Sequence, residues 1–193
     1  MKTFKILIIS ILFAFPAVAQ NTDTTYSITT EIGVGYSRYF TTMDYSDLNK
    51  NGFAGTFRVM WNPEHLLSIG LETGYQYLYS IDISGYTTEF GTTDFSASMY
   101  AVPISFVLAM RITPNIKLTT SSGMYLLYNS GDLYGDAIEN NQISIGARAG
   151  ISYTYPLNES ISLGGELLYS YYSKIQDQTV ALQFLFVYNL LEW

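Results

Sequence analysis

The sequence predicts an all-β fold: an eight-stranded antiparallel up-and-down transmembrane β-barrel behind an N-terminal signal peptide. Three observations carry this reading. Charged residues make up 13% of the 193 residues and hydrophobic ones 48%, whereas soluble domains carry about 25% charged residues. Beyond the N-terminus no apolar run is long enough for a membrane helix, which needs about 18 or more residues. Any membrane-spanning part must then be strands that close on themselves, because lipid offers no partner to an open sheet edge. Finally, eight successive segments alternate apolar residues with small or polar ones, and a period of two is a strand signal.

The first twenty residues, "MKTFKILIISILFAFPAVAQ", combine Lys2 and Lys5, an apolar stretch from Ile6 to Phe15, and a small-x-small close at Ala17, Val18 and Ala19. This is the three-part pattern of a secretory leader. Residues 1–19 are therefore expected to be a signal peptide, with Gln20 opening a single barrel domain, residues 20–193. The chain has no cysteine and a formal net charge of −7, made more negative once Lys2 and Lys5 leave with the leader. A large hydrogen-bonded sheet needs no disulfide even in an oxidising compartment, and an acidic chain is a poor partner for nucleic acid.

The segments follow in order. "YSITTEIGVGYSRYF" sets Ile28, Ile32, Val34 and Tyr36 against Glu31, Gly33, Gly35 and Ser37. "GFAGTFRVMW" sets Phe53, Phe57, Val59 and Trp61 against Ala54, Thr56 and Arg58. "LETGYQYLYS", extended back to Leu67 and Ile69, carries a column of tyrosines opposite Glu72, Gly74 and Gln76. "YAVPISFVLAMRI" alternates Tyr100, Val102, Ile104, Phe106, Leu108 and Met110 with smaller residues. In "IKLTTSSGMYLLY" the apolar frame is interrupted by Thr120 and Ser122. "ISIGARAGISYTY" carries Ile143, Ile145, Ile151, Tyr153 and Tyr155 against Gly146, Arg148 and Gly150. "ISLGGELLYSYY" opposes Leu163, Leu167, Tyr169 and Tyr171 to Gly164 and Glu166, and "VALQFLFVYNLL" runs Val180, Leu182, Phe184, Phe186, Tyr188 and Leu190 in one frame.

Across all eight apolar frames the only charge is Arg38, at a strand end where it can reach out of the lipid. An Arg or Lys at the bilayer midplane would cost about 2–4 kcal/mol. Apolar-out and polar-in is the reverse of a lipocalin-like soluble barrel with a dry pocket. The connections alternate between short proline-bearing turns ("NPEH", "TPN", "PLNES") and longer polar stretches ("TTMDYSDLNKN", "SIDISGYTTEFGTTDF", "NSGDLYGDAIENN"), with a shorter "SKIQDQ". Short periplasmic turns and long outer loops are the barrel pattern, which puts both termini in the periplasm. Tyr36, Tyr75, Tyr77, Tyr79, Tyr100, Tyr128, Tyr169 and Tyr171 then fall at outer strand ends. Tyr26, Trp61, Tyr153, Tyr155 and Tyr188 fall at inner ends, so two aromatic girdles are expected at the headgroup layers.

The leader, the eight period-two segments, the alternating connections and the aromatic-rich last strand together resemble the small eight-stranded outer-membrane barrels, the OmpX-like proteins and the membrane domain of OmpA-like ones. The likeness covers the whole mature chain and rests on architecture rather than on a signature motif. It implies the outer membrane of a Gram-negative bacterium, with outer-membrane lipid and the barrel-assembly machinery as partners. One departure stands out. Trp193 is in the frame of Asn189 and Gln183 rather than that of Phe184, Phe186 and Tyr188.

Glu31, Arg58, Glu72, Arg148 and Glu166 lie in inward frames, with Arg111 and Lys117 at the lower rim. An eight-stranded barrel is just wide enough for side chains to fill it, and buried charges must pair, so a polar plug is expected. A narrow ion or proton path is the other reading. A hairpin centred on His65 sets Arg58 opposite Glu72. One centred on Leu157 sets Arg148 opposite Glu166, leaving Glu31 as a spare carboxylate. His65, Ser68 and Glu72 are residue types of a hydrolase, but a turn histidine and a lumen-facing serine do not meet an acyl chain, so no enzyme is expected. "GVG" at Gly33–Gly35 has neither the third glycine nor the helix of a nucleotide site and more simply makes room in the lumen. The outer connections hold Asp44, Asp47, Asp82, Glu89, Asp94, Asp132, Asp136, Glu139 and Asp177 against Lys50 and Lys174, which would attract divalent cations or be solvated loop charges. No cofactor or dedicated metal site is expected. The functional expectation is a filled barrel with a structural or surface-recognition role through its outer loops, the alternatives being a narrow ion or small-solute channel and a lipid-modifying enzyme.

Overall fold

The computed structural model describes residues 26–43, 47–63, 66–88, 91–133 and 136–193. The signal-peptide reading of residues 1–19 lies outside the described residues, as do Asp44, His65 and Glu89. Strands β1 (Ser27–Phe40), β3 (Asn51–Asn62), β4 (Leu67–Thr88), β5 (Gly91–Arg111), β6 (Ile116–Leu133), β7 (Asp136–Pro156), β8 (Ile161–Tyr172) and β9 (Asp177–Glu192) each pair antiparallel with their chain neighbours. Pairing of β1 with β9 closes the barrel. A two-residue strand β2 (Leu48–Asn49) lies in the first long connection and pairs with Ile81 and Ser80 of β4.

Alternation sets the two faces. Ile145 is 68% exposed, Leu71 67% and Leu182 64%, values that no water-facing sheet would sustain over eight strands and that a lipid-facing one requires. Their strand neighbours are buried polar and small residues, among them Glu31, Thr56, Ser105, Ser121, Ser144 and Ser152. Thr120 and Ser122 also point outward, and the Ser122 hydroxyl is satisfied by donating to the Gly146 carbonyl at 3.2 Å. Arg38 lies on the outward face with its guanidinium over the Phe40 ring, 5.9 Å from the centroid.

The two ends differ. At the end that carries Tyr26 and Trp193 the turns are tight: Ile116 N–H donates to the Thr113 carbonyl, and the Asn158 side chain accepts from the amides of Ser160 and Ile161 at 2.9 and 2.8 Å. At the other end, the described residues of "SIDISGYTTEFGTTDF" and "NSGDLYGDAIENN" are strand rather than loop. They continue as strand, so that Asp82 pairs with Ser96 and Thr88 with Gly91 on β4–β5, and Leu133 with Asp136 on β6–β7. Their Thr, Ser, Ile and Tyr content suits a strand, and cross-strand pairing satisfies the backbone beyond the lipid.

Three features of the pairing depart from simple counting along the chain, apart from a further irregularity between Ile83 and Tyr86 on the β4–β5 ladder. Between Tyr77 and Tyr79 the β4–β5 ladder slips by one residue, so that Tyr77 faces Tyr100 while Tyr79 faces Met99. The bulged Leu78 is fully buried and Tyr79 packs against the buried interior cluster, so Tyr79 turns inward and leaves the girdle. A second slip, near Leu190, sets Ile28 opposite Leu191. That slip returns Trp193 to the outward face, stacked on Tyr26 at 6.1 Å with reciprocal backbone hydrogen bonds. The departure noted for Trp193 is thereby resolved by one inserted residue. Third, the β7–β8 turn centres on Glu159 instead of Leu157: Pro156 pairs with Ser162, Arg148 with Ser170 and Glu166 with Ser152. The expected Arg148–Glu166 juxtaposition is therefore wrong. The Asn158 side chain caps a longer turn than the proline alone would suggest.

Candidate functional site

Two stacked layers fill the middle and upper lumen, with a small apolar cluster of Met60, Val107 and Ala109 on the tight-turn side. The lower one is a network of charges. Glu31 on β1 pairs with Arg58 on β3, which pairs with Glu72 on β4, so one row of the sheet carries acid, base and acid side by side. Arg58 is 0% exposed and its Nη1 donates to both carboxylate oxygens of Glu166 at 2.8 Å, across the lumen from β3 to β8. Its Nε donates to Glu72 at 2.5 Å and its Nη1 approaches Glu31 at 3.4 Å. Arg148 on β7 reaches over the lumen to the other Glu72 oxygen at 2.9 Å. It also donates to Ser170 at 3.0 Å and Gln76 at 3.3 Å. Lys117 on β6, less buried than the rest, pairs with the second Glu31 oxygen.

Three carboxylates thus meet three cations. Three of the contacts, Arg58–Glu166, Arg148–Glu72 and Lys117–Glu31, join strands that are not neighbours in the sheet. Only a closed barrel brings them together. All five residues read from the sequence as interior charges are buried here; Arg58 meets Glu72 as turn counting gives and adds Glu31 and Glu166, whereas Arg148 meets Glu72 in place of Glu166. Lys117, expected at the rim, is the sixth member. Gln76, Ser121 and Ser170 complete the shell; the sequence reading does not single them out, although all three sit in inward frames. Gly33 leaves the space that the Gln183 side chain occupies, since a Cβ there would lie 3.3 Å from Gln183 Cδ.

Above this network, toward the long hairpins, lies an aromatic layer. Tyr39, Leu78, Met99, Ala101, Tyr125, Leu127 and Tyr172 form one buried cluster, with Met43, Tyr79 and Ile175 against it. Tyr125 and Tyr172 meet edge to face at 5.1 Å, and Tyr39 stacks on Tyr79 at 5.7 Å. Gly146 makes room for the Tyr125 ring, whose Cε2 lies 2.6 Å from where a Cβ would stand. The Tyr39 hydroxyl donates to Asp177. Asp177 is therefore no solvated loop charge but a buried acceptor, 7% exposed. Tyr39, Tyr125 and Tyr172 all lie in polar frames, a signal that parity alone could have found; Tyr79 could not be placed without the bulge.

The outward aromatics form the two belts in modified form. Tyr75, Tyr100 and Tyr128 stack in a row at 5.2 and 4.9 Å. Tyr36, Tyr169 and Tyr171 are exposed on the same face, and Tyr77 is half-buried beside Tyr100. At the terminus end Trp61, Tyr153, Tyr155 and Tyr188 are exposed outward, and Tyr26 lies against Trp193. Of the hydrolase candidates, Ser68 is half-buried in the lumen frame and His65 is outside the described residues. Glu72 accepts from Arg58, Arg148 and Ser121, so its carboxylate belongs to the ion-pair network. Among the described residues no three His, Cys, Asp or Glu side chains converge to hold a metal ion.

A closed antiparallel barrel with an apolar exterior, aromatic belts and a charge-paired interior defines a membrane β-barrel with a filled lumen. Residues 6–189 match the family model described as outer membrane protein beta-barrel domain, and the chain belongs to that family. Solved structures share the fold at low identity. A major outer membrane protein from Thermus thermophilus is 18% identical, with 86% of this chain and 99% of that one covered and a TM-score of 0.58. Ail, the attachment invasion locus protein of Yersinia pestis, solved with the heparin analogue sucrose octasulfate, is 14% identical, with 89% and 100% covered and a TM-score of 0.54. Neisserial surface protein A is 13% identical, with 87% and 100% covered and a TM-score of 0.52. A search of the curated proteins finds no match.

Proposed function

We propose that this outer-membrane barrel is a non-catalytic surface-recognition and envelope protein, with both termini in the periplasm and the long hairpins outside the cell. The observation that carries the reading is the lumen. Its charges are matched three to three, its cross-lumen ion pairs tie opposite walls, and a tyrosine layer covers them on the hairpin side. Such an interior anchors and stiffens a wall; it leaves little room for a conducting path. What remains free to act is the projecting β4–β7 wall, whose strands run to 22, 21, 18 and 21 residues, far more than the roughly 9–11 needed to span a bilayer. Ail carries a polyanion in its structure, whereas this wall displays Asp82, Asp94, Asp132 and Glu139, so recognition here would call for different chemistry.

The test is to replace residues 82–96 by a two-residue turn and to score two properties separately. The trimmed barrel is expected to insert and to keep its heat-dependent shift on a gel, while adherence of intact cells to host-cell and abiotic surfaces falls. Unchanged adherence of the trimmed strain would contradict the recognition role.

A further inference from the structure

Resting on that recognition reading, we propose a saccharide-binding site on the outward face of the β4–β5–β6 wall, suited to neutral or amino sugars. The register builds it. Beyond the row Tyr77, Tyr100, Tyr128, the next outward row is Ser80, Ser98, Ser130, and the one after it is Asp82, Ser96, Asp132. These rows line a hollow of about 340 Å³, with Tyr77 at its lower edge. A second hollow of about 160 Å³ shares Asp82, Ser96 and Asp132 and extends to Asp94. No Lys or Arg lines either hollow.

The chemistry of this lining narrows the occupant. Ser80, Ser96 and Ser98 are half-buried, and their hydroxyls have no hydrogen-bond partner among the described residues. Hydroxyls both donate and accept, and carboxylates accept two or more donors, which is what the vicinal hydroxyls of a sugar ring require. Charge-assisted bonds to Asp82 would be the stronger ones, and the Tyr77 ring offers an apolar face at one edge. The carboxylates are spread along the groove and do not converge on a metal-sized point, so an extended ligand fits better than an ion. The central strand β5 is paired on both sides, so a peptide has no free edge there to extend. Without cationic lining, sulfated or phosphorylated sugars are disfavoured. The hollow begins where the tyrosine row ends, so the sugar comes either from the headgroup of a glycolipid in the same membrane or from a free oligosaccharide.

The experiment uses the full barrel in phosphatidylcholine nanodiscs, with amide shifts followed during titration with a glucosamine trisaccharide, maltotriose, sucrose octasulfate and trilysine. The glucosamine trisaccharide and maltotriose are both expected to move the amides of residues 80, 96, 98 and 130, and sucrose octasulfate is not. Ser98→Leu, which fills the hollow, should weaken both sugars at least tenfold. Asp82→Asn should weaken the glucosamine trisaccharide more than maltotriose. Each variant is first required to keep the heat-dependent gel shift. In a second arm, discs containing digalactosyl diacylglycerol report on the membrane source: shifts at these residues without added sugar assign the glycolipid, and shifts only with free sugar assign the oligosaccharide. Absence of sugar binding in both arms, or binding unchanged by Ser98→Leu, would overturn the proposal. So would trilysine matching the glucosamine trisaccharide while maltotriose stays silent, since charge alone would then suffice. If the sugars fail but the trimmed wall still loses adherence, the saccharide site is wrong and the recognition role stands.

Discussion

The two layers of the lumen solve the same problem by opposite means. In the lower layer, Arg58 and Arg148 hold opposite walls together through carboxylates and are themselves almost free of water. In the upper layer, rings and aliphatic chains fill the space, and one buried carboxylate, Asp177, is answered by one hydroxyl, that of Tyr39. Charges give the lower layer strict partner geometry, because any unpaired member is left desolvated. The upper layer gains from contact area and tolerates exchange among shapes of similar volume. Geometry is thus fixed below, toward Tyr26, Trp193 and the tight turns, and closure is supplied above, beneath the projecting wall.

The comparison is tested hardest at Arg58. Arg58→Ala leaves Glu31, Glu72 and Glu166 short of their common partner and should cost about 3–5 kcal/mol, read as a lower urea midpoint for the barrel in lipid vesicles. A double-mutant cycle sharpens this: Arg58→Met with Glu166→Gln should recover part of the loss, whereas Arg148→Ala with Glu166→Ala should show at least about 1 kcal/mol less coupling, as the two side chains do not touch. Equal coupling in the two cycles would contradict the observed register. In the upper layer, Tyr39→Phe keeps the ring and removes the hydroxyl from Asp177, for an expected loss of about 1–3 kcal/mol in the same assay. A loss as large as that of Arg58→Ala would erase the distinction between the layers. On the outside, Thr120→Leu exchanges one lipid-facing hydroxyl for an apolar chain and should shift stability by less than about 1 kcal/mol, in the stabilising direction. A large loss there would mean that this face meets protein rather than lipid.

The lipid face is legible in the sequence because a bilayer punishes polar residues one by one, so every strand carries the same signature; Ile32, Leu71, Ile145 and Leu182 each lie where parity puts them. The interior charges are legible for the complementary reason. Which charge meets which is only half legible. Arg58 and Glu72 are joined by one tight turn, and counting across it works. Arg148 and Glu166 are joined by a turn whose length the Asn158 side chain sets, and their true partners stand across the lumen, at a distance in sequence that no local count reaches. Tyr79 and Trp193 defeat parity for one shared cause. A single inserted residue reverses every face beyond it, and neither Leu78 nor Leu190 advertises itself as a bulge. The long polar stretches look like loops because lipid enforces apolar alternation only within the membrane; above it the same ladder continues with serine and threonine in place of leucine.

That side chains close the lumen is the claim on which the rest depends, and conductance across a planar bilayer tests it most directly. Purified barrel, shown to be folded by its heat-dependent gel migration, is expected to give no steady open level at either polarity. Stable, reproducible current steps from the unmodified protein would mean that the charged layer is wet and continuous, and the anchoring account would give way to the channel.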